Sequence, residues 1–224
     1  AQQLAGEAPS GNRSLAIIMK DYEQESCVIL MLWAIAMMVL KAFRTYAESS
    51  MLSRSLLAIP EGTSILPRDA REQSRSLEAL TPEEQDYLLP RALSNALSRF
   101  TNTSSIPAVA EAVKEQCEIE ADRLDSELSM VRYISWAIPS IGFIGTVRGI
   151  GDALGQAYKA VEGDISGVTV SLGVAFNSTF VALVLSIIIM FALHQLQLTQ
   201  ERLVLNTQRY VDQNLIRHLS VPRQ

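Results

Sequence analysis

Three long apolar blocks mark the chain, divided by one long polar stretch and one short link. The first is SCVILMLWAIAMMVLKAF. Its uncharged part, Ser26 to Leu40, gives about 22 Å of helix. That falls short of a hydrocarbon core of roughly 30 Å. Lys41 can snorkel, which extends the usable length to Phe43. Taken alone, this block also fits a buried soluble helix or a signal-peptide core, but no A-x-A-like cleavage site follows it. The second block runs from Tyr133 to Ala157 and is uncharged as far as Arg148. The third, Ile165 to Leu193, has no charge at all and would make about 43 Å of helix. Its segment FVALVLSIIIMFAL is apolar on every face, as helices in lipid or in a large core are. A chain of 224 residues has no core large enough to hide three such helices. The pattern predicts an all-α integral membrane protein with transmembrane helices at 25–44, 132–158 and 166–195.

The polar segments also read as helical. TPEEQDYLLPRALSNALSRF opens with Thr81 as N-cap, Pro82 at the first helical position and Glu83 and Glu84 in the first turn. Pro90 is expected to interrupt it. From Pro107 to Pro139 there is no breaker, which predicts one long helix entering the second span. IPEGTSILPRDA reads as a loop. An interfacial helix is expected near SLAIIMKDYEQE. After the third block, Leu196, Leu203, Val204, Val211 and Leu215 keep one apolar face, so the third helix should continue well past the membrane. The second and third spans are thus expected to extend as long helices into the cytoplasm.

Positive charge sets orientation. Lys and Arg are frequent in 45–131 and recur in the tail 196–224, while the link KAVEGDISG carries one lysine and two acids. These two segments are therefore read as a cytoplasmic helical domain and a cytoplasmic helical tail. The loop 159–165 and the N-terminal segment 1–24 face outward. The net charge of −5 and the absence of a basic patch give no reason to expect nucleic acid. The two cysteines suggest neither a disulfide framework nor a metal site. No nucleophile–base set or cofactor motif is visible, so neither an enzyme nor a cofactor is expected.

The second block contains IPSIGFIGTVRGIGDALG, rich in residues that disfavour a helix interior. Between membrane helices, small residues permit close approach. Gly145–Gly149 and Gly151–Gly155 are small-xxx-small pairs, and Gly142 shares a face with Gly149. In the third block Ser171, Ala175, Ser178, Ala182 and Ser186 recur at helical spacing, with Thr179 on the neighbouring strip. These faces suit helix packing within one chain or a cavity around a partner helix. Thr146, Ser178 and Thr179 can each bond their own i−4 carbonyl. The primary amide of Asn177 needs a partner in hydrocarbon. Arg148 and Asp152, four apart, can form an intramembrane ion pair, and charges at that depth also suit an ion pathway or a partner contact.

PSIGFIGTVRGI resembles the P-x-x-G-x-x-G-T-V-x-G signature of the MotA/TolQ/ExbB proton-channel family, and LGVAFNSTFVAL resembles that family's next span. The order of spans is similar to the three-span ExbB and TolQ branch. The resemblance implies a subunit of the bacterial inner membrane with its N-terminus outside and its C-terminus in the cytoplasm. Five copies would surround two copies of a single-span ExbD/TolR/MotB-like partner carrying a membrane aspartate. Proton flow past that aspartate would drive mechanical work. Carried over by position, Thr146 and Thr179 border the ion path, beside Ser178 and Asn177. Pro139, Gly142, Gly145 and Gly149 match the motif, and Ala175 and Ala182 face them. Arg148 stands where ExbB and TolQ carry tryptophan, and Val174 where ExbB-like proteins carry glutamate. A specialised motor such as a Zorya-type antiphage system, or a structural scaffold without ion transport, are the alternatives.

Overall fold

A computed structural model describes residues 22–54, 56–57, 65–67 and 70–221. Most of the N-terminal segment, including the start of the expected interfacial helix, and most of the expected loop at 59–70 lie outside the described residues. The rest is helical, with no strand among the described residues; Ile65 and Leu219 form an isolated bridge.

The helices are α1 (Tyr22–Met51), α2 (Ala70–Glu78), α3 (Pro82–Gln85), α4 (Leu88–Thr103), α5 (Ile106–Glu127), α6 (Ser129–Gly155), α7 (Ala157–Val161) and α8 (Ser166–Asn214). A short 3₁₀ turn follows at Ile216–His218. The described residues form two compact units: Tyr22–Ala36 with Val131–Phe191, and those within Met37–Met130 with Ala192–Val221.

Two helices, α1 and the one starting at Ser166, are long and apolar enough to cross a membrane. Only 17% and 28% of their most apolar windows are buried, so neither is the core helix of a soluble domain. Large side chains such as Leu40, Phe143, Phe180 and Ile187 lie exposed. The middle predicted span, α6, is not counted with these two. Glycines, Pro139, Tyr133, Trp136 and Arg148 interrupt its apolar run.

Three sequence expectations change in detail. Thr81 does cap a helix, in a reciprocal capping box with Glu84, but that helix is only α3. The interruption falls at Asp86–Tyr87 rather than at Pro90, which sits in the first turn of α4, where a missing N–H is harmless. The single helix expected from Pro107 to Pro139 breaks at Leu128. There the N–H turns back to the Asp125 and Ser126 carbonyls, a tightening that Asp and Ser favour without any proline or glycine. By contrast, the apolar face expected beyond the third block is buried at every one of its five positions.

The core of the second unit joins Leu88, Leu93, Leu97 and Phe100 of α4 to Val109, Val113 and Cys117 of α5, with Val204 and Val211 of α8 and Leu215 just beyond its end. Each fully buried side chain of this size contributes about 1.5–3 kcal/mol. Tyr87 cannot cap α4 through its side chain. Glu48 of α1 substitutes, accepting from the Leu88 N–H at 3.3 Å. Burial nonetheless holds the Glu48 carboxyl above its ordinary value, outweighing that bond and Arg44. Nearby, Glu127 accepts from Lys41 at 2.7 Å, and this bond holds it below the usual range.

Between α7 and α8 the chain turns through Gly163 at φ +98°, a conformation that L side chains rarely adopt. The Ser166 hydroxyl and N–H then donate to the Asp164 carboxylate at the start of α8, which lowers its pKa.

Candidate functional site

The first unit brings the two motif helices together along their small faces. Gly142, Gly145 and Gly149 of α6 are buried, as are Ala175, Ser178 and Ala182 of α8. A Cβ at Gly142 would overlap that of Ala182; one at Gly145 would strike the Ser178 hydroxyl; one at Gly149 would lie 2.7 Å from the Ala175 Cβ. The three pairings run in opposite directions along the two helices, as antiparallel neighbours require. Of the two readings of the small face, packing within one chain accounts for these glycines. Gly151 and Gly155 are exposed, with nothing near the position of a Cβ.

Close approach at the glycines lets two hydroxyls meet. Thr146 and Thr179, half-buried on the flanking strip, are hydrogen-bonded to each other. Thr179 Oγ1 donates to the Gly142 carbonyl at 2.9 Å, leaving the Thr146 proton for the Ala175 carbonyl at 3.1 Å or for Thr179 itself. The i−4 bond of Thr146 is the longest of its contacts, at 3.4 Å. These hydroxyls therefore bridge two helices rather than serving only their own.

Pro139 sits inside α6 and cannot donate to the Ser135 carbonyl one turn earlier. The Ser186 hydroxyl of α8 donates to that carbonyl at 2.9 Å. Next to the proline, the Ile138 carbonyl accepts from Cys27 Sγ of α1 at 3.6 Å. Thus the proline is tolerated because a side chain from α8 serves the carbonyl that it leaves without a donor.

The expected Arg148–Asp152 pair is replaced by one between helices. Arg148 Nη2 lies 2.8 Å from Glu23 Oε2 of α1. Asp152 is exposed and is not among the ion-pair partners of the described residues. Helix geometry allows an i,i+4 pair, but a carboxylate arriving from α1 is the nearer partner. Asn177 is half-buried and makes no side-chain hydrogen bond among the described residues. Ser178 is buried, and its hydroxyl likewise has no partner there.

Glu23 is the residue the sequence reading missed, since it fell in the outward segment 1–24. A signal did exist. Gln24, Cys27 and Ala34 share a helical face, all are buried, and Glu23 lies one turn before Cys27.

Helices packed through glycine and alanine, with lipid-sized side chains outward and hydroxyls meeting between them, define an all-helical membrane protein. The chain belongs to the MotA/TolQ/ExbB proton channel family, whose sequence model matches residues 82–209. Members are membrane-embedded and work in complexes with partner proteins. No curated protein and no solved structure matches the chain significantly.

Proposed function

We propose that the chain is the channel-forming, stator-like subunit of a motor complex in the bacterial inner membrane, one that turns proton flow into mechanical work. It spans the membrane three times, with α6 as the middle span, its N-terminus outside and its C-terminus in the cytoplasm. Five copies surround two single-span partner helices that carry an aspartate. It performs transport rather than enzymatic chemistry. The observation that carries this reading is the Thr146–Thr179 hydroxyl pair, which joins the two motif helices at the positions that the family resemblance assigns to the ion path. Paired hydroxyls can donate to a charged carboxyl and accept from a neutral one, as a proton-carrying aspartate requires.

The test is proton flux into liposomes holding the complex purified with its natural partner. Flux in the unmutated complex should fall sharply in Thr146→Val plus Thr179→Val. Unchanged flux in that double variant sinks the role given to these threonines. A complex with no flux and no aspartate-bearing single-span subunit favours a structural scaffold.

A further inference from the structure

A groove of about 290 Å³ opens between the end of α5 and α8. Leu128 and Val204, both buried, form its floor. Asp122, Asp125 and Glu201, all exposed, stand on its rim. Asp122 and Glu201 enter no ion pair among the described residues. Gln200 also lines the groove. It is only 4% exposed, and its amide makes no hydrogen bond among the described residues. A buried amide without a partner is costly, so the groove suits an occupant that can bond it. An apolar floor, an amide and carboxylates at the mouth fit a side chain with an apolar stem and a cationic head, an arginine or a lysine.

The chain carries such a side chain at the matching level. Arg202 directly follows Glu201 and lies about 100° further round α8. It is exposed and enters no ion pair among the described residues. Buried Gln200, Leu203, Val204 and Thr207 mark the core side of α8. Arg202 is on the opposite side with Leu205, which is 60% exposed. Beside the groove, one turn before Asp122 on the same face of α5, Ile119 is 57% exposed. The two helices run antiparallel, since α5 also touches the 3₁₀ turn beyond the end of α8. Leu205 therefore lies beyond Arg202 in the same direction as Ile119 lies beyond Asp122, each by about 4.5 Å.

Copies in one membrane share an orientation, so a ring of them turns about an axis along the spanning helices. Each residue then keeps its level from copy to copy. We propose that Arg202 of one copy enters the groove of the next, with its Leu205 against Ile119, in a head-to-tail contact that repeats round the ring. This rests on the multi-copy arrangement proposed above. The groove is committed to a second copy, rather than to the single-span partner, because charged and apolar positions match on two levels at once.

The experiment uses the purified complex in lipid nanodiscs, with its mass measured. Ile119→Cys and Leu205→Cys are made singly and together, then treated with a short bismaleimide; Cys27 and Cys117 are buried. The double variant should give a ladder of covalent multimers, and neither single variant should. Adding Arg202→Glu sets a carboxylate against carboxylates and should slow formation of the ladder about tenfold or more. Arg202→Lys should preserve it. A double variant that stays uncrosslinked in an intact ring overturns the proposal and leaves the multi-copy reading standing. So does a ladder indifferent to Arg202→Glu. Loss of the single-span partner, rather than of the ladder, in Asp122→Asn plus Glu201→Gln assigns the groove to that partner and also overturns it. A mass corresponding to one copy refutes the multi-copy reading, and this proposal with it.

Discussion

The Ser186 hydroxyl donates to the Ser135 carbonyl at 2.9 Å, on the backbone group that Pro139 leaves without its helical donor. A lost donor on one helix is thus made good by a side chain from another. Ser186→Ala should destabilise the chain by about 1–3 kcal/mol, the cost of an unsatisfied buried acceptor. In a Pro139→Ala background, which returns an N–H to that carbonyl, the same change should cost much less. Thermal melting of the four variants in detergent reads the coupling. Equal losses in both backgrounds would show that the hydroxyl does not serve this carbonyl.

The glycines of α6 should respond in opposite ways. Gly142→Ala places a methyl against the Ala182 Cβ and should cost about 1–3 kcal/mol, as overpacking does. Gly151→Ala meets nothing and should stabilise the helix by roughly 0.5–1 kcal/mol. Melting temperature and oligomer yield check both. Assembly lost only in Gly151→Ala would place that glycine at a contact between copies.

Glu48 predicts a pH dependence. Burial, and then the charge of Glu120, hold its folded-state pKa above the ordinary 4.5, so the folded chain binds its proton more tightly than the unfolded chain. Its contribution is fully present below the ordinary value and is lost as pH rises through the raised one. Glu48→Gln removes the titration. The melting temperature of the natural chain relative to this variant should be higher at about pH 5 than at about pH 8. An unchanged difference would mean that Glu48 titrates normally.

Cys117 should be unreactive. Burial, assisted by Glu118 and Glu120, pushes its thiol up to about 11 from 9.0. The thiolate population near neutral pH then falls on the order of a hundredfold, and buried packing excludes reagent as well. In a Cys27→Ala background, iodoacetamide should label the folded protein far more slowly than the denatured one. Comparable rates would show that the packing around Cys117 of α5 opens readily.

Much of the fold was legible because its signals are local. The uncharged run to Leu193 and the five-position stripe from Leu196 to Leu215 can each be read from spacing alone. The Thr81 cap was legible for the same reason, since S/T-x-x-E is a local pattern. The breaks at Asp86–Tyr87 and Leu128 were less visible. Neither needs a proline or glycine, and each depends on how the neighbouring backbone satisfies its own hydrogen bonds.

The site divides in the same way. Sequence alone marked Thr146, Thr179 and the glycines, because small residues and hydroxyls in an apolar helix stand out against hydrocarbon. It also determined that the chain is helical and built for lipid, since a chain of 224 residues offers no core large enough to hide three such helices. Only the tertiary structure decided that the two threonines bond each other, that Ser186 serves the carbonyl the proline leaves without a donor, and that Arg148 pairs with Glu23 rather than Asp152. Each of these joins residues from different helices. Helical periodicity states which face a residue occupies, but the identity of the facing helix follows from packing.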